Sequence, residues 1–187
     1  MKIIVAISGA SGVVYGVRLL EFLKETEIEV HLICSKDGIR VLKHEVGLSY
    51  KDLQGYADVV HDVADIGATP ASGSAGLGHM VVIPCSMKTL SMIATGAATN
   101  LIGRSADVIL KEKRTLVLVP RETPFSPIHL ENMLKLSHLG VHIVPASPGF
   151  YHHPKSIDDL VNHIVGKTLD CLRVPNELFR RWRGGEG

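Results

Sequence analysis

The feature that most constrains this chain is a repeat of short apolar runs rich in β-branched residues, each followed by a longer stretch with helical spacing. The runs are Ile3 to Ile7, Ile28 to Ile33, Met80 to Ile83, Leu116 to Val119 and Val141 to Val144. Their near-continuous apolar character is that of parallel strands covered on both faces. Between and after them, helical patterns span Val14 to Glu25, Asp37 to Glu45, Thr89 to Ala98, Arg104 to Lys113, Ile128 to Leu139 and Ile157 to Leu172. This alternation predicts an α/β layered domain with a parallel sheet. In such sheets ligands bind outside the carboxyl ends of the strands, so the residues after each strand are where chemistry is expected.

At about 150 residues per domain, the 187 residues predict one domain over 1–174 and a C-terminal extension over 175–187. Hydrophobic residues at 45% and charged residues at 21% exclude a disordered chain. A net charge of +1 offers no electrostatic footprint for nucleic acid or an anionic membrane. The cysteines, Cys34, Cys85 and Cys171, are odd in number and widely spaced, which fits a reducing cytoplasm. Ile3 to Ile7 is too short for a signal-peptide core and reads as a buried first strand. Ile66 to Gly103 carries Lys88 as its only Asp, Glu, Lys or Arg, yet its Gly, Ser, Thr and Pro content rules out one membrane helix. Burial in the domain core and burial against another subunit both explain it.

After the first strand comes Ser8-Gly9-Ala10-Ser11-Gly12, a tight turn into a helix whose free N–H groups suit a phosphate; a simple turn is the plainer alternative. The second strand ends at Cys34-Ser35-Lys36, and the third at Pro84-Cys85-Ser86-Met87-Lys88-Thr89, where Ser86 is a natural helix N-cap. The fourth leads into Pro120-Arg121-Glu122-Thr123-Pro124, which sets forked donors beside a proton carrier; a solvated ion pair explains the same residues. The fifth leads into a Pro- and aromatic-rich loop with Phe150-Tyr151-His152-His153, able to close a pocket or to cover a core edge.

Other signals point to structure. Arg104, Asp107 and Lys111 share one helix face, as an exposed charged stripe would. Ser156 and Asp159 match a capping box, which accounts for Asp158-Asp159 better than metal binding does. The ten histidines show no metal-ligand spacing, and no G-x-S-x-G nucleophile elbow is present. Phe179 and Trp182 suit anchoring of the tail.

Together, Ile7 to Gly12 running on to Arg18-Leu19-Leu20, Ser72-Gly73-Ser74, Pro84 to Leu90, Ala106-Asp107-Val108 with Leu110-Lys111-Glu112, Val119 to Pro124, Ile128 to Met133, Gly149-Phe150-Tyr151 and Arg181-Trp182 closely resemble the UbiX-type flavin prenyltransferases, formerly described as aromatic acid decarboxylases. The match runs in order over nearly the whole chain. It implies a three-layer Rossmann-like or flavodoxin-like subunit with helices on both faces of a parallel sheet. It also implies a metal-independent transferase that joins a C5 unit from dimethylallyl monophosphate to N5 and C6 of reduced FMN. The prenylated FMN then serves a separate UbiD-type decarboxylase. Family members form homododecamers with the site between subunits.

By motif position, the resemblance assigns Gly9, Ala10, Ser11, Ser35, Ser86, Met87, Lys88, Thr89, Arg104 and Arg121 to FMN. Lys111, Arg121, Glu122, Tyr151 and Lys167 fall to the prenyl phosphate. Glu122 is the implied proton carrier, while Ser11 and Glu45 assist ring closure and proton loss at C6, and Lys111 and Tyr151 stabilise the leaving group. Two positions depart from the pattern: Lys167 stands where many relatives have Arg, and Ile66 where some have Trp. An FMN-dependent cysteine decarboxylase of related fold is a rival whose Pro-Ala-Ser-Ala-Asn-Thr segment is replaced here by Pro84 to Thr89. A non-catalytic flavin-binding protein is a second rival, which would have no use for Lys111, Glu122 and Tyr151.

Overall fold

A computed structural model describes residues 1–182 and 184. Strands β1 (Lys2–Ile7), β2 (Glu29–Cys34), β3 (Val59–His61), β4 (His79–Cys85), β5 (Thr115–Pro120) and β6 (His142–Ile143) form one parallel sheet in the order β3-β2-β1-β4-β5-β6. Strand order reverses between β1 and β4, so a crevice opens above the carboxyl ends of these two neighbours. The helices are α1 (Val13–Lys24), α2 (Lys36–Glu45), α3 (Tyr50–Gln54), α4 (Met87–Thr95), α5 (Leu101–Lys111), α6 (Pro127–His138) and α7 (Ile157–Cys171).

Alternate strand residues supply the two core layers. Ile3, Val5, Ile7, Val81 and Ile83 pack with Leu20 of α1, Leu42 of α2 and Leu169 of α7. Ile4, Ala6, Val82 and Leu118 pack with Leu90 of α4, Ile109 of α5 and Leu136 of α6. Each Val, Leu or Ile among them contributes about 1.5–3 kcal/mol on burial, which is why the sheet needs helices on both faces. All five strand runs and six helical stretches read from the sequence are present, with ends shifted by up to three residues. Strand β3 and the one-turn helix α3 add to that reading, because Val59–His61 and Tyr50–Gln54 are too short to show a period. The expected fifth strand, Val141 to Val144, is trimmed to a two-residue edge pairing.

After α7 the chain turns at Arg173, which has a positive φ, and folds back. Asn176 donates to the Gly166 carbonyl and to Asp170, and Arg181 grips Asp170 with two hydrogen bonds of 2.9 and 2.7 Å. The aromatic expectation for the tail holds here: Phe179 lies so close over α7 that a Cβ on Gly166 would meet its ring.

Candidate active site

The crevice is assembled from the segments at the carboxyl ends of β1, β2 and β4. Ser8, 1% exposed, joins the two central strands: its N–H and Oγ both donate to the Pro84 carbonyl, and its Oγ accepts from the Ser86 N–H at 2.8 Å. Gly9 passes so close to the first turn of α2 that a Cβ there would collide with that of Asp37. Gly12 takes a left-handed conformation, φ 98°, at the entry to α1. Ser35 caps α2 by accepting from the Gly38 N–H, and Ser86 caps α4 by accepting from the Thr89 N–H. Capping therefore does hold for Ser86, and it orients the same residue toward the cleft. Gly9, Ser35, Ser86, Lys88 and Thr89 line a cavity of ≈ 410 Å³ that extends along α4 to Asn100, the N-cap of α5. This lies within the size range of about 300–1,000 Å³ for small-molecule sites.

One expectation changes in detail. The α1 N-terminus, read as a place for phosphate, already holds an anion of the protein's own: Glu45 accepts from the N–H groups of Gly12 (2.8 Å) and Val13 (3.2 Å), with Ser11 beside it. Burial works to raise the Glu45 pKa, but these hydrogen bonds and the Arg121 charge prevail and hold it below the usual carboxylate range. Helices α2 and α4, with Lys88 at the rim, remain for a ligand's polar groups.

Arg121 projects from the end of β5 toward Gly12 and Tyr15. Burial raises the Tyr15 pKa against the opposing pull of Arg121. The Arg121 Nε is buried and meets no acceptor among the described residues. An unmet cationic donor beside a cleft of hydroxyls, peptide groups and a second cation fits a phosphorylated flavin. Glu122 comes next at the lip, accepting from the Thr123 N–H at 2.9 Å.

The remaining predicted residues are Arg104, one turn past Asn100 on α5, and a group at a distance from the cavity. Arg104 pairs with Asp107 at 2.9 Å on α5, as the charged-stripe reading expected. Lys111 pairs with Glu112 at 2.8 Å at the far end of that helix. That end precedes Thr115, which pairs with His79 at the amino edge of the sheet, so Lys111 sits about 20 Å, one six-residue strand, from the crevice. Tyr151, 42% exposed, packs its ring edge-on against those of His152, His163 and Trp182, and its hydroxyl lies 3.2 Å from His163 Nε2. Lys167 stands one helical turn beyond His163 on α7, exposed to solvent. Ile66 is 57% exposed. Among the described residues, no hydrogen bond or ring contact of Tyr151 reaches the crevice.

Of the expected residues, Gly9, Ser35, Ser86, Lys88 and Thr89 thus line one cavity, Glu45 and Arg121 stand at the entry to α1 beside it, and Lys111 and the Tyr151–Lys167 patch lie apart. Sequence reasoning passed over Ser8, whose buried hydroxyl looks like any turn serine. It also passed over Asp37 and Asn100, whose cleft positions depend on tertiary packing, and His163, one of ten histidines.

The Flavoprotein family model matches residues 1–169. A flavin prenyltransferase UbiX of Methanocaldococcus jannaschii is 50% identical over 182 residues, covering 97% of this chain and 98% of the relative. Among solved structures, a dodecameric FMN-dependent UbiX-like decarboxylase from Escherichia coli O157:H7 superposes with a TM-score of 0.97 at 50% identity, covering 98% of this chain and 100% of the other. AnUbiX (PadA1), in complex with FMN and dimethylallyl pyrophosphate, gives a TM-score of 0.97 at 43% identity, covering 99% and 98%. With nearly the whole chain matched at this level, it belongs to the Flavoprotein family and, within it, to the UbiX flavin prenyltransferases.

Proposed function

We propose that this chain transfers the C5 unit of dimethylallyl monophosphate to reduced FMN, and that the prenylated product serves a UbiD-type decarboxylase. Reduced FMN supplies the nucleophilic N5 and C6 that receive the carbon chain. The single observation that carries this reading is the buried Arg121 Nε, without an acceptor among the described residues, next to the Glu122 carboxylate just after the end of β5.

Gly9, Ala10, Ser11, Ser35, Ser86, Met87, Lys88 and Thr89 hold the flavin through peptide groups, hydroxyls and one ammonium, and Arg104 takes part from α5. Breaking the allylic C–O bond moves negative charge onto the departing phosphate. Arg121, Lys111, Lys167 and Tyr151 are the donors that stabilise it. Glu122 carries a proton to or from that phosphate. Ser11 and Glu45, neighbours at the entry to α1, assist ring closure and take up the proton lost at C6.

Lys111 and the Tyr151 patch reach a crevice only if it belongs to another copy, so the complete site forms between subunits of a homo-oligomer, a dodecamer by analogy. The apolar surface left uncovered on α6, with Ile128, Leu130 and Leu134 all more than half exposed, is of the kind that subunits bury. A reducing cytoplasm suits the free thiols and a reduced flavin. The predicted division at residue 174 places the tail outside the flavin-binding domain, as an arm on α7.

Anaerobic incubation of the protein with reduced FMN and dimethylallyl monophosphate, followed by mass spectrometry of the released flavin, tests the reading. A gain of one C5H8 unit is expected, with Glu122→Gln binding FMN but turning over about 10²- to 10⁴-fold more slowly. Bound but unmodified flavin with the wild-type protein would sink it.

A further inference from the structure

His163 has no assigned role, yet its hydrogen bonds determine where its proton sits. The Gly149 N–H points at Nδ1 from 3.2 Å, and a backbone N–H can only donate, so Nδ1 is the acceptor and carries no proton. The neutral ring then carries its hydrogen on Nε2, 3.2 Å from the Tyr151 oxygen. Neutrality has its own support: burial lowers the His163 pKa first, and the nearby His152 and Lys167 charges lower it further.

The ring cannot readily turn to swap these partners. It is 7% exposed, stacked on His152 at 4.9 Å and 10°, and met edge-on by Phe179 at 4.9 Å. Neither ring nitrogen of His152 has a partner among the described residues, so that neighbour supplies stacking without a competing hydrogen bond.

Building on the prenyl-transfer reading, we propose that His163 is a positioning residue. Its Nε2–H donates to the Tyr151 oxygen and thereby turns the tyrosine's own proton outward, toward the departing phosphate. A hydroxyl that accepts a hydrogen bond from one side is also a better donor on the other. The interaction should matter most as charge builds on the leaving oxygen, and so act on kcat more than on KM.

Two isosteres separate the halves of this arrangement. His163→Asn keeps an acceptor where Nδ1 meets Gly149 and removes the donor to Tyr151. His163→Gln keeps a donor at the Nε2 position. In FMN-loaded protein, His163→Asn is expected to lower kcat for dimethylallyl monophosphate about tenfold, the worth of about one hydrogen bond, with FMN affinity unchanged. His163→Gln should recover most of that loss. In a Tyr151→Phe background, His163→Asn should add nothing. With oxidised FMN, which does not turn over, calorimetric affinity for dimethylallyl monophosphate should fall a few-fold in the Asn variant and stay near wild type in the Gln variant.

Unchanged kcat in His163→Asn, or full additivity with Tyr151→Phe, would overturn the role while leaving prenyl transfer intact. Should the Asn variant lose its flavin, His163→Phe repeats the test with an apolar ring of similar size. Failure of the wild-type protein itself to prenylate FMN would overturn the functional reading and this role with it.

Discussion

The crevice above β1 and β4 and the Tyr151 patch on α7 are built by different means. In the crevice, the groups that face a ligand are largely peptide N–H groups, cap hydroxyls and glycine backbone, and their positions are set by the sheet. Ser8 ties β1 to β4 through three hydrogen bonds, and Gly9 abuts α2 without a side chain in between. The Tyr151 patch is a stack of rings from a loop, a helix and a tail, held by edge-on contacts and by the Arg181–Asp170 pair. A frame of peptide groups and cap hydroxyls is rigid and carries no titrating group of its own. A ring-built one is adjustable, and it depends on whatever pins its outermost member.

The sharpest way to break that contrast is to disturb the backbone side. Gly9→Ala introduces a Cβ into the space of Asp37, so α2 must move off the β1 turn, at a cost of about 1–3 kcal/mol. The Ser35 and Ser86 caps then no longer line one cavity in their present arrangement. The protein should purify with little or no FMN while still folding, as read by flavin absorbance against the thermal transition. Retention of full flavin content would show that the crevice tolerates movement after all.

The separation of the two regions gives a second, smaller effect. Glu122→Gln disables a crevice and Lys111→Ala disables the donor about one strand length away. If each site joins a crevice to a lysine of another copy, co-assembly of the two inactive variants in equal amounts restores about a quarter of wild-type activity, because that share of sites receives both intact residues. No recovery in a co-assembled oligomer would place both residues in one subunit's site, against the distance across the sheet.

The same contrast explains what could be read without a structure. Residues that act from the first few positions after a strand, such as Gly9, Ser35, Ser86 and Arg121, are legible because strand, turn and cap are local signals and the sheet's carboxyl edge is a known place for ligands. Residues whose place depends on tertiary packing were not. Glu45, named through the resemblance alone, lies 33 positions from Gly12, and only the fold brings its carboxylate onto the α1 N-terminus. His163 lies 12 positions from Tyr151 on a separate element, and no periodicity marks its ring as the partner of that hydroxyl. Strand β3 escaped notice because three residues carry no pattern, and its pairing with β2 is a tertiary fact.

The gentlest test acts on the tail alone. Asp170 is held below the ordinary aspartate pKa of 3.8, first by its hydrogen bonds from Arg181, against a smaller burial effect. A carboxyl whose pKa is depressed in the docked state stabilises docking fully above its free value, and loses that contribution as pH falls through the docked one. The tail should therefore stay in place at neutral pH and loosen only below pH 3.8, where the Ser8 bonds that join β1 to β4 carry no titrating group. Trp182 is the only tryptophan and packs at 6.0 Å on Tyr151, so its emission reports the tail directly. Acid titration should red-shift that emission before flavin is released, and Asp170→Asn should give the shifted spectrum already at neutral pH. Both variant and wild type keep Phe179 over Gly166, so the change is expected to be partial. Simultaneous loss of flavin and tail would mean that the two regions are one cooperative unit, and that the ring-built patch braces the crevice.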